Sequence, residues 1–493
     1  MRCLFVIPKN KFAFFGYRGV SPTFPHLGVA YLISMLQKNG HEVQLFDDGS
    51  GKTQDDLFAQ IKEFKPDLIA MTIYTLSRPF AYELIEKIKA QTELPIVLGG
   101  AHVSTIKKDI LRETKADFGI MYEGEYSLIE LINEIESGHP DFSVVKNLIW
   151  RDKDAIVENP IRPYLTDLDS LPFPQFGFYD IKPHLGFREK LVPLITSRGC
   201  PFGCNFCSVR LYMGRGFRKR SAKNVFEEIK YQCEKGYHQF DFNDDCFTLD
   251  RNRAEDILDL IIASGMKISF QFYNGLRVDT VDPPLLKKLK EAGCFYISYG
   301  CESGNEQILK DIQKAVTLQE VRDATRWTRA AGIACSVNFI IGHKGETYKT
   351  AMDSINFARS LPVNFVNFYN LIPYPGTDAF EWVKEHGHFL VDTNNYLEAV
   401  SYADNMPTFE TPELTRAQRE KIIRIGFGIH ERKVLRYRFG GILGSMLFFV
   451  TRSRWLKVLG ARFATMNKFG KRLALLLSRA SYARYMKRGG KSR

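Results

Sequence analysis

The chain has 493 residues, 45% of them hydrophobic and 25% charged, with no low-complexity tract and no repeat of solenoid period. This composition excludes a disordered or fibrous protein, and the length predicts two or three domains. The net charge of +12 comes from one end of the chain. Residues 432–493 hold 17 Lys and Arg and no Asp or Glu, which leaves −5 on residues 1–431. The body of the protein is therefore mildly acidic.

The nine cysteines do not suggest a disulfide framework. Their number is odd, and the segment MRCLFVIP has the pattern of a first strand rather than of a secretory signal. We therefore expect a reducing, cytoplasmic location.

Residues 1–140 alternate between short apolar runs and helical patterns. The runs are RCLFVIP (2–8), EVQLFD (42–47), DLIAMTI (67–73), PIVLGG (95–100) and DFGIMYEG (117–124). Such runs predict strands buried on both faces, and patterns such as HLGVAYLISMLQKNG (26–40), closed by Gly40, predict the crossover helices. The domain predicted over 1–140 is a Rossmann-like, doubly wound parallel sheet with its ligand site at the carboxyl ends of the strands.

Residues 141–190 are predicted to be a linker, because ENPIRPYLTDLDSLPFPQF (158–176) is rich in Pro and Asp and has little periodicity. A second α/β series follows over 191–385. Its predicted strands are LVPLITS (191–197), QFDFND (239–244), KISFQFYN (267–274), CFYISYG (294–300), CSVNFIIG (335–342) and NFVNFYN (364–370). Six βα units predict a partial (β/α)6 barrel with its chemistry at the carboxyl ends of the strands.

Residues 386–493 are predicted to form a basic helical C-terminal region. Within TPELTRAQREKIIRIGFGIHERKVLRYRF, we expect a helix with Thr411 as N-cap and Pro412 as its first residue.

Three cysteines fall within eight residues directly after the first predicted barrel strand, in SRGCPFGCNFCSV (197–209). A closed thiolate site for zinc or an iron–sulfur cluster usually has four ligands. Cys200, Cys204 and Cys207 could form a zinc site with a distant fourth ligand, part of an electron-transfer cluster, or a four-iron cluster with one open iron. Their place at the carboxyl end of a barrel strand favours the open cluster.

The Cys-x3-Cys-x2-Cys spacing, with Phe206 before the third cysteine, resembles the signature of radical S-adenosylmethionine (SAM) enzymes. The resemblance continues through NGLRVDTVDPPLLKKLKEAGCFYISYGCESGNEQIL (274–309), NFIIGHKGET (338–347) and PYPGTDAF (373–380). In the second of these, His343-Lys344 replaces the apolar–Pro pair that is usual in the adenine-contact segment. The resemblance covers about 190–380.

The resemblance implies a 4Fe-4S cluster on Cys200, Cys204 and Cys207, with SAM on the fourth iron. Reductive cleavage of SAM would then give a 5′-deoxyadenosyl radical that takes hydrogen from an unactivated carbon, with a flavodoxin or ferredoxin as reductant. The SAM-binding residues implied are Phe206, Asp244, Asp245, Arg277, Glu302, Ile340 and Gly342. For Asp245 and Arg277, an ordinary ion pair at the barrel rim is the alternative.

A Rossmann-like module before such a barrel resembles the cobalamin-binding domain of cobalamin-dependent radical SAM enzymes. The cobalamin-binding residues implied lie at the strand ends and are Thr72, Tyr74, Thr75, Gly99, Gly100, His102, Glu123 and Gly124. The D-x-H-x-x-G histidine of many cobalamin proteins is missing from FDDGSGK (46–52). Cobalamin is therefore expected with its own base displaced and no histidine on the lower face of cobalt. A nucleotide site without G-x-G-x-x-G, or a domain that has lost cobalamin, are the alternatives.

The segment 438–477 interleaves basic and apolar residues, and its uninterrupted apolar stretch, 439–450, is too short for a membrane span. Phe449, Trp455, Leu456, Val458, Leu459, Phe463 and Phe469 suit a helix that lies on an anionic membrane surface. A helical lid on the barrel and, less favoured, a nucleic-acid contact are the alternatives.

The function expected is that of a cobalamin-dependent radical SAM enzyme that methylates an unactivated carbon of a small molecule or lipid. Ring-forming, rearranging or oxidising radical SAM chemistry is the first alternative. A non-catalytic cluster protein that senses redox state or iron is the alternative from another class.

Overall fold

A computed structural model describes residues 1–9, 25–181, 190–392 and 406–452. The first sheet contains all five predicted strands: β1 (Arg2–Ile7), β2 (Glu42–Asp47), β3 (Leu68–Thr72), β4 (Ile96–Gly99) and β5 (Phe118–Ile120). They are parallel, in the order β2-β1-β3-β4-β5. Six helices connect or flank them: α1 (Leu27–Lys38), α2 (Gln54–Phe64), α3 (Arg78–Gln91), α4 (Ala101–Ile106), α5 (Asp109–Glu113) and α6 (Glu125–Glu136).

Alternation along the strands explains why both faces of this sheet are covered. In β1, Cys3 and Phe5 pack with residues of α1 and α6, whereas Leu4 and Val6 pack with residues of α2 and α3. Every one of these four side chains is buried. A run that is apolar at every position therefore forms a strand between two helical layers.

The sheet is extended by a hairpin that the sequence did not predict. Strands β6 (Leu148–Asp152) and β7 (Ala155–Glu158) pair antiparallel, and β6 adds to β5. Both lie in the segment predicted to be a linker. Strand β6 ends in the exposed Arg151 and Asp152, and β7 is exposed at both of its ends, Ala155 and Glu158, as suits the edge of a sheet. The two strands therefore lack the long apolar run that marked the other strands.

The second sheet contains all six predicted barrel strands. They are β8 (Leu191–Leu194), β11 (Gln239–Phe242), β12 (Ser269–Leu276), β13 (Cys294–Glu302), β14 (Ala334–Ile341) and β15 (Phe365–Asn370). They run parallel in the order β15-β14-β13-β12-β11-β8, so the barrel is open between its first and last strands. The short strands β9 (Ser197–Arg198) and β10 (Arg218–Lys219) form an antiparallel ribbon beside β8.

The helices of the barrel follow its strands in chain order. They are α7 (Val209–Tyr212), α8 (Ala222–Glu234), α9 (Arg251–Ser264), α10 (Pro283–Glu291), α11 (Glu306–Asp311), α12 (Leu318–Ala330), α13 (Tyr348–Ser360) and α14 (Asp378–His386). A two-stranded ribbon of β16 (His388–Phe389) and β17 (Phe409–Glu410) follows.

A long helix, α15 (Arg416–Phe439), lies along the last barrel strand, β15. It begins at Thr415, whose side chain accepts a hydrogen bond from Gln418 N, so the predicted N-cap at Thr411 was wrong. Thr411 Oγ1 instead accepts from Leu414 N within a turn that precedes the helix. Both threonines suit a helix start locally, and the capping box of Thr415 and Gln418 decides between them.

The buried Arg419 fixes α15 to the barrel. Its guanidinium donates to Phe409 O at 2.6 Å, to Ile341 O at 2.9 Å and to Asn370 Oδ1 at 3.2 Å. Helix α15 is therefore part of the barrel, whereas the last described helix, α16 (Gly441–Arg452), is mostly exposed. Trp455, Leu456, Val458, Leu459, Phe463 and Phe469, on which the surface-helix prediction depends, lie outside the described residues.

Candidate functional site

A cavity of about 1210 Å³ lies where the carboxyl ends of the two parallel sheets meet. This exceeds the roughly 300–1,000 Å³ that is usual for a small-molecule site, so the cavity can hold a large cofactor beside a second ligand. All eight residues predicted to bind cobalamin line it, and so do Cys200, Cys204 and Cys207. Of the predicted SAM residues, Phe206, Asp245, Arg277 and Glu302 line it, whereas Asp244, Ile340 and Gly342 do not.

The cysteine loop leaves the ribbon β9–β10 through Gly199, which has a φ of +86°. A side chain at this position would collide with the carbonyl of Gly216, so both the backbone conformation and the space require glycine. The three cysteines that follow are free thiols and partly exposed toward the cavity.

Within the described ranges, no three Cys, His, Asp or Glu side chains converge closely enough to hold a single metal ion. In a four-iron cluster each cysteine binds a different iron, so its ligands stand further apart than those of one ion. Three thiols that face one cavity from a loop with glycines fit such a cluster. The residues present therefore suit the group that the sequence implied.

Two consecutive carboxylates behind the loop hold it in place. Asp244 is buried and accepts hydrogen bonds from Thr196 Oγ1 at 2.6 Å and from Ser197 Oγ at 2.5 Å. Asp245 Oδ2 accepts from Gly199 N at 3.1 Å. Burial raises the pKa of Asp245 to about 6, against the lowering effect of that hydrogen bond. Asp244 thus orders the strand that leads to the cysteines, while Asp245 lies in the cavity wall.

Glu302 and Lys314 form an ion pair in the cavity wall, with Lys314 Nζ 2.9 Å from Glu302 Oε1. Glu302 has a φ of +73°, a conformation that a residue with a side chain adopts only under constraint. Glu302 remains predicted as a SAM-binding residue. Lys314 places an ammonium group beside it in the same wall of the cavity.

Arg277 already has partners at the rim of the cavity. Its Nη2 lies 2.8 Å from Asp279 Oδ2 and 3.2 Å from Ala315 O, and its guanidinium stacks 3.5 Å above the Phe202 ring. This is the ordinary ion pair that the sequence analysis kept open as an alternative. Stacked on Phe202, the guanidinium fixes the cysteine loop to the segment after β12.

Ile340 and Gly342 lie behind the cavity wall rather than in it. Ile340 packs in an apolar cluster with Phe206, and Gly342 N donates to Glu346 Oε2 at 2.5 Å. A side chain at Gly342 would collide with the guanidinium of Arg419. His343 replaces the usual apolar residue and lies 5.2 Å from the Phe206 ring. Burial lowers the pKa of His343 to about 3, so the imidazole is neutral.

On the N-terminal side, Gly100 and His102 follow β4. Gly100 has a φ of +102°, and a Cβ there would lie 2.7 Å from Ile73 O, so the turn into α4 requires glycine. His102 is buried, with Nδ1 3.3 Å from Thr75 Oγ1 and Nε2 3.3 Å from the Tyr82 hydroxyl. Burial lowers the pKa of His102 to about 4.

His26, a second histidine in the cavity wall, was missed by the sequence analysis. Its Nδ1 accepts from Val29 N at 3.2 Å, as the N-cap of α1, and its Nε2 lies 3.3 Å from Thr72 Oγ1. Both ring nitrogens of His26 and of His102 thus have partners within the chain. Among the described residues, the two histidines of the cavity wall are thus already engaged, as the expectation of cobalt without a protein imidazole requires.

Glu123, predicted as a cobalamin contact, joins the two domains. It lies between two arginines that face each other across the ribbon β9–β10: Arg198 Nη1 at 2.8 Å and Arg218 Nη1 at 2.6 Å. Arg198 also lies 2.6 Å from Glu125 Oε1. Burial raises the pKa of Glu123, but the two guanidinium groups outweigh it, and the net shift is downward. Two arginines at opposed cross-strand positions repel each other, and Glu123 offsets that repulsion.

The neighbouring sequence does not mark Lys314, Arg198 or His26 as residues of the site. Lys314 lies in a loop 12 residues after Glu302, and Arg198 lies 73 residues from Glu125. Only the place of Arg198 next to the cysteine loop could have drawn attention to it.

Comparison with known proteins identifies the two halves of the cavity. Residues 19–132 match the B12 binding domain, and residues 194–358 match the Radical SAM superfamily. The chain is 32% identical over 431 residues to an uncharacterized methyltransferase of Pyrococcus horikoshii, an alignment that covers 86% of this chain and 91% of that relative. The chain belongs to the cobalamin-dependent radical SAM family.

Another relative is an anaerobic magnesium-protoporphyrin IX monomethyl ester cyclase of Cereibacter sphaeroides, 30% identical over 78% of this chain and 64% of the cyclase. The fold is also that of the radical SAM methyltransferase TsrM from Kitasatospora setae, with a TM-score of 0.72 and 18% identity over 87% of this chain and 89% of that one.

These comparisons confirm the predicted α/β fold class, the enzyme class and the cofactors, which are a 4Fe-4S cluster, SAM and cobalamin. Methyl transfer was the first reaction predicted, and the relatives include a methyltransferase as well as a ring-forming cyclase. The non-catalytic sensor is set aside, since the family is one of enzymes. No helix in the described part of the chain is long and apolar enough to cross a bilayer.

Proposed function

We propose that this cobalamin-dependent radical SAM enzyme transfers a methyl group to an unactivated carbon of a small molecule. The observation that supports this most directly is the shared cavity, in which the cysteine loop faces the strand ends of the B12 binding domain. When bound, the cluster and SAM supply a radical that removes hydrogen from the substrate, and cobalamin supplies the methyl group.

The residues of the chain have three roles in this proposal. Cys200, Cys204 and Cys207 hold the cluster, and Asp245 and the Glu302–Lys314 pair face the charged groups of SAM. Thr72, Tyr74, Thr75, Gly99, Gly100 and Gly124 line the opposite wall, where cobalamin binds. The substrate enters between the two walls, so the transferred methyl group and the activated carbon come together in one space.

Isotope labelling distinguishes methyl transfer from the alternatives. Cells that express the chain are grown on methionine with a trideuterated methyl group, and their lipids and water-soluble metabolites are compared with those of cells expressing Cys204→Ala. Methyl transfer predicts a compound that carries three extra deuterium atoms on carbon only with the native chain. Ring closure, which the cyclase relative favours, predicts a new compound that lost hydrogen and gained no label.

The electron for SAM cleavage comes, in our proposal, from a flavodoxin or ferredoxin. Reduced flavodoxin added to the reconstituted protein should replace dithionite in forming 5′-deoxyadenosine. The absence of product with flavodoxin and ferredoxin, while dithionite supports it, would rule out this partner class.

We further propose that α16 contacts an anionic membrane, which makes a lipid the natural substrate class. Ile442, Leu443, Met446 and Phe449 are exposed and follow the i, i+1, i+4, i+7 spacing of one helical face, while Phe448 is buried. Ile442 is 83% exposed and Phe449 71%. The 17 basic residues of 432–493 add attraction to acidic headgroups, worth about 1 kcal/mol for each one near the surface.

Vesicle sedimentation tests the membrane contact. Binding of the full chain should require anionic vesicles and should weaken only partly with salt, because buried apolar area is not screened. Met446→Asp should reduce binding about tenfold or more, whereas Phe427→Asp, an exposed position on α15, should not. If neither variant alters binding, or if RNA competes fully with vesicles, the membrane contact is wrong, and the apolar face has another role, such as that of a helical lid on the barrel.

A further inference from the structure

Cys246 lies in the cavity wall beside the first cysteine of the loop. Its thiol donates to Cys200 Sγ across 3.4 Å, and its side chain is buried. Of the six cysteines outside the loop, Cys246 lines the cavity and the other five do not. It follows Asp244 and Asp245 directly, in the segment NDDCFT after β11.

The backbone on both sides fixes the position of this thiol. Gly199 N donates to Asp245 Oδ2 at 3.1 Å, so the residues just before Cys200 and Cys246 are joined. Asn274 Nδ2 donates to Asp244 O at 3.0 Å, and Leu249 N donates to Cys246 O at 3.2 Å. The two segments that carry Cys200 and Cys246 are therefore anchored to each other and to the barrel.

We propose that Cys246 is a positioning residue that donates a hydrogen bond to the sulfur of Cys200 when Cys200 binds the cluster. The inference rests on the assignment of Cys200, Cys204 and Cys207 as cluster ligands. It adds a fourth cysteine that is not a ligand and that acts through Cys200.

The expected effect is on the reduction potential. When a cluster accepts an electron, negative charge increases on its sulfur ligands, and a hydrogen bond to such a sulfur stabilises the reduced state more than the oxidised state. Hydrogen bonding by Cys246 therefore raises the potential and eases the transfer of an electron from the reductant. The burial of Cys246 strengthens the effect, because water does not compete with the sulfur of Cys200 for the Cys246 thiol.

The test is a redox titration of the reconstituted protein, followed by the spin resonance of the reduced cluster. Cys246→Ala should lower the midpoint potential, while Cys246→Ser, which keeps a donor, should lie between the Ala variant and the native protein. The matched control is Cys301→Ala, since Cys301 is also buried, near the carboxyl end of β13, but donates to Ser303 O and does not line the cavity. Its potential should equal that of the native protein.

Two results would overturn the inference. One is an equal potential in the native protein and in Cys246→Ala. The other is loss of the cluster in Cys246→Ala and Cys246→Ser alike, which would make Cys246 a ligand. The iron content of Cys204→Ala tests the ligand assignment separately, so the failure of the assignment and the failure of the inference are distinguishable.

Discussion

Glu123 provides the sharpest test of how the two domains are joined. Its carboxylate is 11% exposed, accepts from Arg198 and Arg218, and also accepts from Leu165 N at 2.8 Å. Removing one member of a buried ion pair costs about 3–5 kcal/mol, because the partner charge stays buried. Glu123→Gln keeps the shape and one acceptor, so we expect the lower end, about 3 kcal/mol.

Hydrogen–deuterium exchange of residues 119–132 and 196–220 measures the free energy of opening this interface. A cost of about 3 kcal/mol predicts about 100-fold faster exchange in Glu123→Gln. The control is Glu130→Gln on the adjoining helix α6, which loses a half-exposed pair with Arg162 at 2.5 Å and should cost at most about 1 kcal/mol. Exchange that rises equally in both variants, or less than tenfold in Glu123→Gln, would refute the interdomain role.

Three further predictions concern pH, cobalt and the barrel. The pKa of Glu123 is lowered in the folded protein, so the stability that Glu123 gives to the interface is complete above its unfolded pKa of about 4.3 and is lost as the pH falls below it. Hydrogen–deuterium exchange measured between about pH 6 and 3.5 should show this loss. His102→Ala should leave the spin resonance of bound cobalt(II) cobalamin unchanged, and nitrogen splitting that disappears in this variant would contradict the ligation proposed. Arg419→Met should lower the free energy of unfolding in urea by about 3–5 kcal/mol, since it removes the guanidinium that donates to three buried acceptors, Phe409 O, Ile341 O and Asn370 Oδ1. Arg416→Met, on the exposed side of α15, should change it by about 0.5 kcal/mol or less.

The parallel strands were predictable because each is a short apolar run buried on both faces. Leu4, Val6 and their neighbours in β1 show why, since helices cover both sides of the strand. The hairpin β6–β7 lies at the edge of its sheet and has a polar end, so no such run marks it. The start of α15 was misplaced because Thr411 and Thr415 offer competing local caps.

The candidate site likewise contains residues that the sequence could predict and residues that only the fold brings together. Cys200, Cys204 and Cys207 share one loop, and their spacing is visible in the sequence. The ion pairs of Arg198 and the contact of Cys246 with Cys200 join residues 46 to 75 positions apart, so only the fold brings them together. Glu123 was predicted from its place at a strand end, but its two arginine partners could not be inferred from local pattern.

The central claim is that Cys200, Cys204 and Cys207 hold an open four-iron cluster that cleaves SAM. The most direct measurement is the 5′-deoxyadenosine formed when anaerobically reconstituted protein is given SAM and dithionite. We predict product with the native chain and none with Cys204→Ala, whose cluster should be lost. A native protein that holds zinc in place of iron, or that holds a full cluster yet leaves SAM intact, would contradict the account.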